Sequence, residues 1–188
     1  MRVLKISAFL LWITLPLIGL ADDFRGSSWG DSKEAVKDKE SGQFVLEQDN
    51  TLNFKTSVAG LDMVVVYEFL DGRLVNAGYS SLESHMNKNE FIDEYEKLKE
   101  LLIKKYGEPK TDDVIWRNDL YKDDRSGWGT AISVGHLIYR ATWETERTDV
   151  VTALTGDNFK VQHLIGYRSN ADKEAVEEKA EQETLDKL

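Results

Sequence analysis

Two blocks of short apolar runs with a period of two, split by one long amphipathic stretch, most restrict what this 188-residue chain can fold into. In the first block, Phe44 to Glu47 and Leu52 to Val58 flank the turn Gln48-Asp49-Asn50. Leu61 to Leu70 is the strongest strand signal: Met63, Val65, Tyr67 and Phe69 point one way, and Val64, Val66 and Leu70 the other. Apolar residues on both faces suggest a central strand. Asp71-Gly72 is a favoured hairpin turn, and Leu74 to Leu82 returns antiparallel. In the second block, Asp113 to Leu120, Trp128 to Gly135, Leu137 to Thr145, Thr148 to Leu154 and Phe159 to Tyr167 carry strand composition. Gly135-His136 and Gly156-Asp157 mark turns there.

Between the blocks, Phe91, Tyr95, Leu98 and Leu102 recur at three- and four-residue steps, which predicts a helix over 88–106. Asn87 with Glu90 supplies a cap, and Gly107 and Pro109 stop the helix. A shorter helix precedes the first block, capped by Asp31 with Glu34 and ending near Gly42; Phe24 and Trp29 anchor the extended lead-in before it. Together these signals predict an α+β fold: two helix-plus-antiparallel-meander halves, about 22–86 and 87–169, forming a sheet with helices on one side. Residues 170–188, with seven acidic and three basic residues, read as an acidic helical or disordered tail.

Ahead of this domain, residues 1–21 have the grammar of a secretory signal peptide. Arg2 and Lys5 lead an apolar run from Ile6 to Leu20, and Gly19-Leu20-Ala21 offers small residues at a cleavage site. The expected location is therefore periplasmic or secreted, without a stable membrane anchor, because the run is short for a span of about 20 residues. Residues 1–21 hold two of the 24 basic residues and none of the 34 acidic ones, which leaves a formal charge of −12 on residues 22–188. Such a surface repels phosphate backbones, so no nucleic-acid partner is expected, whereas another protein with a basic surface would be attracted. The chain has no cysteine, which excludes disulfides, zinc–thiolate sites and thiol nucleophiles.

The stretch Phe24-Arg25-Gly26-Ser27-Ser28-Trp29-Gly30-Asp31-Ser32-Lys33-Glu34-Ala35-Val36-Lys37 resembles the WG-x-S-x-E-x-V opening of small exported bacterial proteins. Its Gly30-x-Ser32-x-x-x-Val36 core is similar to the first helix of the beta-lactamase-inhibitor-like fold, which includes small outer-membrane assembly lipoproteins. Lys105-Tyr106-Gly107-Glu108-Pro109 is similar to the helix ending of the same group. The resemblance implies tandem helix-plus-meander units and a protein-binding role. The chain departs from that group in lacking a lipid-anchoring cysteine and disulfides, so the resemblance carries over no functional residue.

No complete catalytic motif, cofactor signature or metal-ligand pattern appears, and neither a cofactor nor a metal is expected. His85 and His136 read as surface residues; His163, among apolar neighbours on the last strand, reads as a satisfied core residue, with a catalytic or ligand role as the alternative. Asp119, Asp123 and Asp124 read as a solvated turn, since their spacing is not that of a calcium loop. Trp116, Trp128, Tyr139 and Trp143 are the candidate binding residues, because Trp and Tyr dominate binding hot spots. Core packing competes with that role, since strand alternation groups Trp143 with Leu137, Tyr139 and Ala141. The expected function is an exported, non-enzymatic binding module of the inhibitor, immunity or envelope-accessory type. The alternative is an envelope hydrolase using a carboxylate pair.

Overall fold

Alternation of apolar residues commits eight segments to one antiparallel sheet in the computed structural model, which describes residues 22–187. The expected signal peptide lies outside the described residues. The strands are β1 (Gln43–Gln48), β2 (Thr51–Val58), β3 (Leu61–Leu70), β4 (Arg73–Ser81), β5 (Thr111–Trp116), β6 (Leu137–Glu144), β7 (Thr148–Asp157) and β8 (Lys160–Ser169). Their spatial order is β1-β2-β3-β4-β8-β7-β6-β5. Neighbours in sequence are neighbours in the sheet except at the centre, where β4 pairs with β8. The helices are α1 (Lys33–Lys39), α2 (Glu90–Tyr106), α3 (Trp128–Ser133) and α4 (Lys173–Leu185), so the fold is α+β.

One face of the sheet holds the core. Cross-strand pairing aligns Leu52, Tyr67, Ala77, Tyr167, Val150 and Trp143 in a single buried row through six strands. On this face α2 lays down Phe91, Tyr95, Leu98 and Leu102, each worth roughly 1.5–3 kcal/mol on burial. Glu90 and Asp93 sit in its first turn, and Lys104 and Lys105 in its last, where each complements the helix dipole. Gly107 stops it at φ +84°, a conformation that favours glycine.

The lead-in is bolted to the same face. Phe24 packs its ring against Tyr67, Tyr79 and Tyr167, with centroids 4.8–5.4 Å away. Arg25 grips Glu40 with two hydrogen bonds of 2.6 and 2.7 Å, and Tyr67 Oη and the Gly42 amide also donate to that carboxylate, whose side chain is fully buried. Trp29 Nε1 donates to Thr148 Oγ1 at 2.9 Å, which ties the lead-in to the β6–β7 hairpin. The motif that carried the family resemblance therefore acts here as a structural fastening.

Several sequence expectations are corrected. The α1 cap is Ser32, whose hydroxyl accepts from the Ala35 amide; Asp31 instead accepts from the Ser28 amide and pairs with Lys39. Trp128–Gly135 is not a strand. A 3₁₀ turn over Arg125–Gly127 leads into α3, and Asn89 Oδ1 accepts from the Gly129 amide at 2.6 Å, satisfying a donor that the helix start leaves free. Asn89, rather than Asn87, precedes α2, and it makes no capping bond within that helix. β5 ends at Trp116, and 117–124 form turns rather than continuing to Leu120. The β7–β8 turn sits at Asn158-Phe159, both at positive φ, and not at Gly156-Asp157, which belong to β7. Phe159 is thereby exposed rather than part of the core face of β8. The tail forms α4, with no buried residue, against the sheet face opposite α1–α3.

Candidate functional site

The second face of the sheet is where the fold leaves surface to use. Alternation sends Val66, Gly78, Gly166, Val151, Thr142 and Thr111 to this face in one cross-strand row. A second row runs Glu68, Asn76, Arg168, Asp149 and Glu144, and a third Val64, Ser80, Leu164, Ala153, Arg140 and Asp113. Most of these residues are half-buried, since among the described residues α4 alone lies over this face, mainly beside β3 and β4. Towards β5–β7 the face forms an open cleft of about 530 Å³.

The floor of the cleft is small and apolar at the centre. A Cβ on Gly78 would come within 2.7 Å of the Ile165 carbonyl oxygen, and one on Gly166 within 3.1 Å of Val151 Cγ1. At the Gly78–Gly166 pair the β4–β8 seam is thus bare backbone on this side. The rim is charged: Lys110, Arg140, Arg168 and Lys173 face Asp113, Glu144 and Asp149. Lys110 pairs with Glu144 and holds that carboxyl below its ordinary range. Lys173 reaches Asp149 at 3.4 Å, and Arg168 reaches Glu177 of α4 at 3.1 Å. Arg140 is exposed and makes no ion pair among the described residues. The chain's acidic excess is therefore not concentrated in this cleft. The arrangement suits recognition by shape and by hydrogen bonds from several charged side chains.

The four candidate aromatic residues divide into two pairs. Tyr139 and Trp143 are buried on the core face, at 5% and 3% exposure, and Trp143 Nε1 donates to the Gly107 carbonyl at 2.8 Å. Trp116 and Trp128 come together, centroids 5.6 Å apart and edge-on, at the margin of the core beside Tyr121. Both are half-buried, and Arg125 lies over the Trp128 ring. Sequence reasoning missed the charged cleft residues, because Lys, Arg, Asp and Glu on a strand's polar positions look alike until register places them in one row. The Asp-rich turn is a turn: Asp119 pairs with Lys122, and Asp124 accepts from Ser126.

His163 is fully buried with both ring nitrogens engaged. Nε2 lies 2.8 Å from the Phe91 carbonyl, which can only accept, so Nε2 carries the proton; Nδ1 then accepts from Ser81 Oγ at 3.2 Å. Burial holds its pKa below the ordinary value for histidine, consistent with a neutral core residue.

Compared with family models, with curated proteins and with solved structures, the chain matches none of them.

Proposed function

We propose that the chain is an exported, soluble, non-enzymatic binding module that engages another protein through the open face of its sheet. Within that class it is of the inhibitor, immunity or envelope-accessory type, built from two α-then-meander halves at about 22–86 and 87–169. The observation that carries this reading is the cleft: glycine backbone and the half-buried Val151 at its floor, and at its rim Arg140, which makes no ion pair among the described residues. Backbone and small side chains admit close approach, while fixed charges set register. Basic groups on the partner would meet α4, whose acidic residues are exposed. The half-exposed Trp116–Trp128 pair offers a second point of contact. No helix among the described residues is long and apolar enough to cross a membrane. The hydrolase alternative asks for a carboxyl with its pKa raised, whereas Glu144 in the cleft is held down by Lys110.

The test is capture of a partner by the purified protein from an envelope extract, followed by the same capture with Arg140→Glu and Val151→Lys. Recovery should fall at least tenfold for each variant. Equal recovery by the variants would remove the cleft from the reading, and recovery of bait alone from the wild type would remove the binding module itself.

A further inference from the structure

Away from the cleft, the link between β4 and α2 gathers carboxylates around a histidine. Glu83 and His85 come from the link, and Glu90 and Glu94 from one face of the start of α2, four residues apart. One ligand atom each from Glu83, His85 and Glu94 lies within 4.8 Å of the other two. His85 Nε2 is 2.9 Å from Glu94 Oε1, and its Nδ1 is 3.5 Å from Glu90 Oε2. The ring rests edge-on against Phe91, with centroids 4.5 Å apart. Glu83 is held in place by the Asp62 amide, which donates to its Oε1 at 2.7 Å.

Two observations set this group apart from an ordinary solvated cluster. Glu94 Oε2 is shut off from solvent and accepts no hydrogen bond. In addition, no lysine or arginine pairs with Glu83, Glu90 or Glu94 among the described residues, whereas the half-buried Asp23, Asp31, Glu40, Glu96, Asp149 and Asp172 each have such a partner. The nearby Lys88 points elsewhere, donating to the Phe159 carbonyl at 3.1 Å. His163, whose Nε2 lies 3.7 Å from Glu94 Oε2, is buried and directs its proton to Phe91. Three carboxylates therefore converge on one imidazole with no lysine or arginine among them.

We propose that Glu83, His85 and Glu94 bind a divalent transition-metal ion of the Zn²⁺ type. One nitrogen and two carboxylate oxygens match the donors that Zn²⁺ takes at about 2.0–2.2 Å, and side-chain adjustment that parts His85 Nε2 from Glu94 Oε1 and draws in Glu83 admits the ion between them. Ca²⁺ and Mg²⁺ take oxygen ligands, whereas this group offers an imidazole nitrogen, a donor that suits Zn²⁺. In the ion-bound form His85 gives Nε2 to the metal, and its Nδ1–H donates to Glu90, the carboxylate that orients the ring and raises its basicity. A fourth position opens towards a cavity of about 420 Å³ bounded by Lys88, Phe159 and Lys160, where a water completes the shell.

The experiment is calorimetric titration of ZnCl₂ into the protein carrying no polyhistidine tag, with Co²⁺ absorption as a second readout of coordination. One equivalent should bind with a dissociation constant in the micromolar range or tighter, and CaCl₂ at least 100-fold more weakly. His85→Ala and Glu94→Gln should each weaken Zn²⁺ binding by 100-fold or more, and Glu90→Gln by about tenfold, as expected for a residue that positions a ligand. Asp123→Asn, in the separate acidic turn, should leave it unchanged. Circular dichroism checks the fold of each variant, and Glu83→Gln serves if Glu94→Gln fails to fold. Absence of stoichiometric Zn²⁺ binding, or binding unaltered by His85→Ala and Glu83→Gln, overturns the proposal.

Discussion

Glu40 shows how much a single side chain can hold. Burial works to raise its pKa, but the hydrogen bonds from Arg25, Tyr67 and the Gly42 amide outweigh it, and the net effect is a carboxyl held below its ordinary value of 4.5. A group depressed on folding contributes stability that is complete above that ordinary value and disappears as pH falls through the folded-state value. Urea unfolding at pH 7 and pH 3 should therefore lose part of its free energy at the lower pH, and Glu40→Gln should reduce that difference. At pH 7 the substitution should cost about 2–4 kcal/mol, because it leaves the part-buried Arg25 guanidinium without its charge partner. A second residue-scale prediction concerns Gly129. A Cβ there would fall 2.3 Å from the Lys88 carbonyl carbon, so Gly129→Ala must push α3 off the start of α2. The expected cost is about 1–3 kcal/mol, read by chemical denaturation. Neither effect is written in the sequence. Phe24 and Trp29 are legible as anchors, but Arg25 and Glu40 are fifteen positions apart and meet only because α1 folds back.

Elements that pack by a strong period are the legible ones. β3, α2 and β8 follow from the sequence to within two or three residues, because each presents an uninterrupted stripe to the core. α3 is illegible for a physical reason: Trp128, Thr130 and Ile132 favour strands, Gly129 disfavours helix, and the six residues become helical through tertiary contacts, with Asn89 at their start and with the sheet that buries Ala131 and Ile132. The proposed metal group is hidden similarly, since His85 lies in a link whose partners sit on the next helix. α4 represents the opposite case, a helix formed with little help from packing. It buries no residue and is held largely by ion pairs at the surface, including Arg168–Glu177, Lys173–Asp149 and the nearby Arg73–Asp172. Such pairs contribute about 0–1 kcal/mol each. Deleting residues 174–188 should therefore shift the thermal midpoint by only a few degrees, as followed by far-ultraviolet circular dichroism.

At the scale of the molecule, the core does not divide where the strand blocks do. Leu52, Met63 and Leu74 from the first block share one buried cluster with Leu98 of α2 and with Trp143, Val150 and Ile165 from the second. A second cluster, with Phe91, Tyr95, Ile132 and Leu154, is joined to it through α2, so the whole should unfold as one unit. Tryptophan fluorescence reports mainly on the second block and on Trp29, whereas circular dichroism reports on the whole sheet. The two should give superimposable denaturation curves; separate midpoints would mean that the blocks melt independently.

The central seam between β4 and β8 also has a consequence in time. Asn76 faces Arg168 across it, partners 92 positions apart, so closing the sheet requires nearly the whole chain. While the polypeptide is being synthesised, β1–β4 can zip into a ribbon through successive hairpins, yet β4 stays an open edge until the final strand emerges from the ribosome. An edge of that kind recruits whatever strand it meets first, including the β4 of a sister chain. Premature termination before Lys160 should thus yield aggregates or interlocked dimers rather than a smaller soluble protein, and the nascent chain has reason to be shielded by a chaperone.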